Sequence, residues 1–291
     1  RLRFLSLNNT AISDDGVAQL GDGYNRLELA HTRITDRGVQ HLQKNDQLTE
    51  LSLAATGITD RALGLLQATP NLRELDLSQT NVTDAGLKPL GEMVWSEDGD
   101  NFELVASTKI THLELASTAV TDRGLDHLKA LYLTDLDISR TRVTNRCHAY
   151  LTGWKLRSLN IEGEFGLTDL TFIRDLPELE RLDVSDRPRI MSKLSALDGH
   201  PSLAVLDLSQ TDLKDSALIK LARCKQLRQL NVAGTDVTLP SLGSLAKVTS
   251  LELVNINGTS IMAHGDERRT VVPGVRLSRS ESFPDFPATS D

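Results

Sequence analysis

Six carboxylates and one imidazole recur at a fixed place in this 291-residue chain: Glu50, Glu74, Asp76, His112, Glu114, Asp135 and Asp137. Each stands directly before or after the first leucine of a Leu-x-Leu phrase, in Glu50-Leu51-Ser52, Glu74-Leu75-Asp76, His112-Leu113-Glu114 and Asp135-Leu136-Asp137. Paired carboxylates can exchange protons with a substrate, join a histidine around a metal, or present negative charge to a basic partner. The chain carries no P-loop, HExxH, paired CxxC, nucleophile elbow or dinucleotide fingerprint. One histidine among acids is expected to relieve their repulsion as an imidazolium rather than to ligate a metal. No metal or cofactor is therefore expected, and partner binding is the chemistry that remains.

The leucines belong to a phrase that the chain repeats. LSLNNTAISDDGVAQL (Leu5–Leu20) is followed by LELAHTRITDRGVQHL (Leu27–Leu42), then by LSLAATGITDRALGLL, LDLSQTNVTDAGLKPL and LELASTAVTDRGLDHL from Leu51, Leu75 and Leu113. Further units start at Leu136, Leu159, Leu182, Leu206, Leu230 and Leu251, and a twelfth at Val275. The period of two in Leu-x-Leu predicts a short strand with both leucines on one face. Threonine follows five residues after the first leucine, at Thr10, Thr32, Thr56, Thr80, Thr118, Thr141, Thr211 and Thr235. A Thr-Asp pair such as Thr35-Asp36 then supplies an N-cap and a first-turn acid for a short helix. Gly38, Val39 and Leu42 give that helix an apolar face. A single unit cannot bury its own leucines, whereas stacked units share one core.

This pattern resembles the leucine-rich repeat family. Its ITDxGLxxL half is most similar to the subtype found in F-box substrate receptors and many bacterial repeat proteins, with threonine here where that subtype has cysteine. The resemblance runs from about Leu2 to Leu277. It implies an α/β leucine-rich repeat solenoid (horseshoe) of about 11–12 repeats, with a parallel sheet on the concave face and helices on the convex face.

On such a sheet the residue between the two leucines faces away from the core. That column reads Ser6, Glu28, Ser52, Asp76, Glu114, Asp137, Asn160, Asp183, Asp207, Asn231 and Glu252. The column before it reads Phe4, Arg26, Glu50, Glu74, His112, Asp135, Ser158, Arg181, Val205, Gln229 and Ser250. Like charges about 5 Å apart repel by roughly 1 kcal/mol in water and more at a protein surface. Keeping Glu50, Glu74, Asp76, Glu114, Asp135 and Asp137 on four successive strands thus costs stability, and an acidic groove for a basic protein or peptide explains it. Solubility of an exposed sheet face explains it too. Arg37, Arg61, Arg123 and Arg146 follow the helix starts and read as convex surface charge.

The repeat breaks in three places. An insert at 91–107 separates Leu75 from Leu113, and Asp98-Gly99 within it signals a hairpin. Its Trp95 and Phe102 either join the partner surface or pack on the hairpin's base; its acids lack the order of a calcium loop. Units seven and eight each hold an extra residue, and Glu164 and Arg187 replace the threonine, as ordinary repeat decay would do. The polar TSIMAHGDERRTVV stretch suits a solenoid cap. These readings give one repeat domain over 1–277 and a disordered tail or linker over 278–291.

The net charge of −8 argues against a nucleic-acid backbone partner, and no apolar run is long enough to span a membrane. Cys147 and Cys224 lie three units apart, roughly 15 Å at ordinary strand spacing, too far for a disulfide. The lack of a visible disulfide cap points to a reducing compartment, or to a cap outside a fragment of a longer protein. The expected function is a monomeric protein–protein interaction module without enzyme activity. The alternatives are a substrate-recruiting adaptor within a larger ligase-type or signalling protein, and a structural surface module of a bacterial envelope protein.

Overall fold

The computed structural model describes residues 2–43, 45–98, 101–163, 166–188, 191–261 and 272–280. It divides into two compact units, Arg1–Trp154 and Lys155–Asp291. In unit 1, six three-residue strands lie side by side in chain order: β1 (Phe4–Ser6), β2 (Arg26–Glu28), β3 (Glu50–Ser52), β4 (Glu74–Asp76), β7 (His112–Glu114) and β8 (Asp135–Asp137). All pair parallel, with Leu5, Leu27, Leu51, Leu75, Leu113 and Leu136 in one register row. Unit 2 repeats the arrangement with β9 (Ser158–Asn160), β10 (Arg181–Asp183), β11 (Val205–Asp207), β12 (Gln229–Asn231), β13 (Leu253–Asn255) and β14 (Arg276–Ser278).

Leucines of the strands and helices form the core. Leu27, Leu29, Ile34 and Val39 of the second repeat and Leu51, Leu53, Ile58 and Leu63 of the third are all buried. Helices α1 (Asp14–Val17), α2 (Asp36–Leu42), α3 (Asp60–Leu66), α4 (Asp84–Leu87) and α5 (Asp122–His127) pack each on the next. Two local devices recur in most turns from strand to helix. The residue four after the first core leucine takes the left-handed conformation, as at His31 (φ 56°), Ala55 (φ 51°) and Gln79 (φ 57°), and glycine supplies it at Gly234 and Gly258. The threonine that follows donates its hydroxyl to the carbonyl three residues back, Thr56 to Leu53 and Thr80 to Leu77, both at 2.6 Å. A buried carbonyl that the ladder does not use is thereby satisfied.

The last two strands differ from the sequence reading. Val254, not Leu251, pairs with Leu230, and Leu277, not Val275, pairs with Val254. Glu252 and Ser250 therefore leave the two face columns, and Asn255 and Leu253 take their places. The Leu251-Glu252-Leu253 triplet imitates the strand phrase. Gly258 and Thr259 mark the true register, with the left-handed φ of 67° and the hydroxyl bond to Ile256 four and five residues after Val254.

The insert forms an antiparallel hairpin of β5 (Met93–Asp98) and β6 (Asn101–Ala106). Trp95 pairs with Leu104 and Phe102 with Glu97 in backbone register, but the Trp95 and Phe102 side chains lie outside what is described. Glu164, residues 262–271 of the expected cap and residues 281–291 of the expected tail also lie outside the described residues.

Candidate partner-binding face

The parallel register assembles the acidic cluster from isolated triplets. Glu50, Glu74, His112 and Asp135 form one row across β3, β4, β7 and β8, and Ser52, Asp76, Glu114 and Asp137 form the next. All seven titratable residues thus lie together on the sheet face opposite the helices. His112 Nε2 stands 3.0 Å from Asp135 Oδ2, and its Nδ1 shares a 2.9 Å hydrogen bond with the Thr111 hydroxyl. The Thr134 hydroxyl donates to the same Asp135 oxygen at 2.7 Å. At the other end of the row, Arg26 reaches Glu50 at 3.0 Å and Glu28 at 2.8 Å while lying over the Phe4 ring. Arg26 was visible in the strand-start column as the residue before Leu27, yet only the fold shows that it closes one end of the acidic row.

Two roles separate within this face. Asp76 Oδ1 accepts the Ser78 backbone N–H at 2.9 Å, and Asp137 Oδ1 accepts that of Ser139 at 2.7 Å. The same bond recurs at Asn160, Asp183, Asp207, Asn231 and Asn255. The parallel ladder uses the N–H groups on either side, Leu77 and Gln79, and leaves this one to find its own acceptor. Aspartate and asparagine serve equally, so much of the Asp content of this column is structural. Glu50, Glu74 and Glu114 make no such backbone bond.

The glutamates carry the electrostatic tension. Glu114 is exposed as a residue, yet its carboxyl is pushed up to about 7, first by desolvation and then by the charges of Asp76, Asp137 and Glu74. Desolvation, followed by Glu50, also raises Glu74, with His112 and Arg26 opposing. In unit 2 the facing pair Asp183 and Asp207, in register on β10 and β11, is buried at 9% and 7% exposure. Asp183 is pushed up to about 7 by desolvation and then by Asp207. The Asn231 amide donates to Asp207 at 2.7 Å. Among the described residues no group of three or more His, Cys, Asp or Glu side chains is placed to hold a metal ion.

The replacement in unit eight is more than decay. Arg187, in the threonine position of unit eight, is buried and donates Nε to the Ile161 carbonyl and Nη1 to that of Leu167, both at 2.7 Å, with Nη2 also on Ile161. A guanidinium fork ties two repeats together where a hydroxyl would serve only its own turn. On the helix side, Arg37, Arg61, Arg123 and Arg146 are exposed, with Arg37 3.0 Å from Asp15. None of the described helices is long and apolar enough to cross a membrane.

A family model described as "Leucine Rich repeat" matches residues 69–91 and 106–129, the repeats on either side of the hairpin. No curated protein matches the sequence. An internalin (inlF) from Listeria monocytogenes str. 4b F2365 superposes with a TM-score of 0.55 at 16% identity, over 97% of this chain and 88% of the internalin. TLR13 in its complex with ssRNA13 superposes with a TM-score of 0.61 at 19% identity, over 95% of this chain but only 42% of TLR13. The two matched repeats are leucine-rich repeats, and the chain shares with these solved structures the open parallel fold of leucine-rich repeat proteins.

Proposed function

We propose that the protein is a protein–protein interaction module and that the acidic face of unit 1 takes a basic protein or peptide. The observation that carries this reading is the in-register row Glu50, Glu74, His112 and Asp135 beside Glu114. Glu74 and Glu114 have raised pKa values there, and Glu114 does no backbone work that would explain its place. A lysine- or arginine-rich segment laid along the row would supply the missing positive charge and steer its own approach. An RNA ligand such as the one bound by TLR13 would meet repulsion on this face.

The test is binding of an arginine-rich peptide to the chain and to Glu74→Lys/Glu114→Lys, measured by calorimetry at low and physiological salt. Binding that weakens at least about tenfold in the double variant, and that falls with salt in the original, supports the face as the site. Equal binding by both proteins would remove this face from the account.

A further inference from the structure

We infer that the arginine ridge along the helix starts of unit 1 is a second interaction surface, and that the partner it fits is the acidic face of a second copy of this chain; this rests on the proposal that the acidic face binds basic partners. Arg37, Arg61, Arg123 and Arg146 each stand two residues after the threonine that precedes a helix, and repeat four has Ala85 there. All five positions are exposed. Among the described residues only Arg37 of the ridge reaches a carboxylate, that of Asp15. The acids directly before Arg37, Arg61 and Arg123 are engaged elsewhere, in a staple that links the repeats. Asp14, Asp36, Asp60, Asp84 and Asp122 each accept the backbone N–H and the hydroxyl of the helix-start threonine one repeat later, Thr35, Thr59, Thr83, Thr121 and Thr144, at 2.6–2.9 Å.

The ridge and the acidic row advance by nearly the same step. Just ahead of the helices the N–H groups of Arg33, Gly57, Asn81 and Arg142 donate to the carbonyls of Ile12, Ile34, Ile58 and Val120 at 2.9–3.2 Å. The helix starts are thus drawn together by a parallel ladder of their own, whose step is about 4.8 Å, rather than spaced as packed helices are, at about 8–10 Å. The charge order matches too. The row reads Glu50, Glu74, His112, Asp135, and the ridge reads Arg37, Arg61, Ala85, Arg123, Arg146. With two arrays running the same way, Arg37, Arg61, Ala85 and Arg123 meet Glu50, Glu74, His112 and Asp135 in turn. Running opposite ways, Arg146, Arg123, Ala85 and Arg61 do. Either way three arginines meet three carboxylates, and Ala85 falls opposite His112, the one member of the row that is not an acid.

Both features are confined to unit 1. The corresponding helix-start positions of unit 2 include Ser216 and Pro240, and none is an arginine. A flexible basic peptide must be ordered as it binds, whereas the ridge presents its arginines at a fixed step. The net charge of −8 opposes the approach of two copies at long range, so the contact forms at high protein concentration.

The test is sedimentation velocity, over a concentration series, of the original chain, Glu50→Lys/Glu74→Lys and Arg61→Glu/Arg123→Glu. The average mass of the original chain should rise with concentration. Each variant alone should associate at least about tenfold more weakly, and their equimolar mixture should recover the association, because the altered surface of each finds its complement on the other. Glutamate near a helix start suits the helix dipole, so the ridge variant keeps its fold. If the face variant folds poorly, Glu50→Gln/Glu74→Gln replaces it and should weaken association in the same direction. An original chain that stays monomeric yet binds the arginine-rich peptide overturns this inference and leaves the acidic face as a site; one that does neither overturns both. Association that is unchanged in the ridge variant, or not recovered in the mixture, overturns the ridge as the partner surface.

Discussion

The Asp36 carboxylate accepts the Thr59 backbone N–H at 2.8 Å and the Thr59 hydroxyl at 2.7 Å, from one repeat to the next. The aspartate therefore does two things at once: it lies in the first turn of α2, where its charge suits the helix dipole, and it holds the start of α3. Thr59 in turn accepts the Arg61 N–H as an N-cap. Repeat arrays gain cooperativity from such nearest-neighbour bonds.

Asp36→Ala is expected to destabilise the protein by about 1–2 kcal/mol, because the freed Thr59 groups are exposed enough to rehydrate. A double-mutant cycle with Thr59→Val in urea denaturation should give a coupling of about 1 kcal/mol. Strict additivity would mean that the two residues stabilise the fold independently and that the staple contributes nothing. At Asp14 burial raises the pKa, but bonds from the Thr35 hydroxyl and N–H and from Gly38 outweigh it and leave the pKa lowered. A lowered carboxylate contributes stability above its ordinary pKa and loses it as the pH falls through the folded value, so the Asp14 staple should weaken in acid.

Glycine completes the staple in a way that two substitutions can separate. A Cβ at Gly86 would sit 2.5 Å from Asp60 Oδ1 and 2.9 Å from the Asp60 Cα, whereas a Cβ at Gly64 meets nothing within 4 Å. Gly86→Ala should therefore destabilise by about 1–3 kcal/mol through overpacking against backbone. Gly64→Ala, on the exposed side of α3, should stabilise by about 0.5–1 kcal/mol through helix propensity. Chemical denaturation of both variants decides the matter; a stabilised Gly86→Ala would show that α4 can shift away from Asp60 at little cost.

Arg187 is the buried cation whose removal should be felt most. Its guanidinium holds the carbonyls of Ile161 and Leu167. Arg187→Ala leaves both without that donor, and a loss of about 3 kcal/mol is expected. Arg187→Lys should recover less than half of it, since an ammonium cannot reproduce the fork. A lysine variant as stable as the parent in thermal melts would show that charge alone, not planar geometry, is what the site needs.

How far these features were legible follows from how local their cause is. The strand rows were readable because Leu-x-Leu states both period and phase, and they failed at Leu251-Glu252-Leu253, where an imitation stands three residues before Val254. The acidic cluster was readable as a column, but its division of labour was not. The clue lay in the alternation of Asp183 and Asp207 with Asn160 and Asn231, which marks a position that needs an acceptor rather than a charge. Asp36 read as a helix-start acid because its second partner, Thr59, is one full repeat away. Arg187 could not be read at all, since nothing in its own repeat announces the two carbonyls that it serves.

The same alternation predicts the behaviour of Asp183. Its carboxyl is pushed up to about 7 by desolvation and by Asp207, so its ionised form is disfavoured in the fold. A raised carboxylate leaves stability fully present below the unfolded value near 3.8 and drains it as the pH rises towards 7. Asp183→Asn keeps an oxygen for the Ser185 N–H and removes the charge. It should raise the midpoint of thermal unfolding at pH 8 by a few degrees, on the order of 1 kcal/mol or more, and change little at pH 4. Equal effects at the two pH values would show that the substitution acts through packing rather than through proton linkage.

Glu114 sets the last expectation, which concerns binding rather than stability. Its carboxyl is raised to about 7 by desolvation and by Asp76, Asp137 and Glu74, so it is largely ionised at pH 8 and largely protonated at pH 6. A basic peptide laid on this face meets one more negative charge at the higher pH. Affinity should therefore fall as the pH drops from 8 to 6, by several-fold at low salt and less at physiological salt, where screening reaches about 8 Å. The peptide must carry arginine or lysine but no histidine, so that only the protein titrates. Glu114→Gln should bind at pH 8 as weakly as the parent binds at pH 6, and should lose most of the pH dependence. If the variant keeps the full dependence, the titrating group lies elsewhere on the row, and Glu74, also raised, becomes the residue to change next.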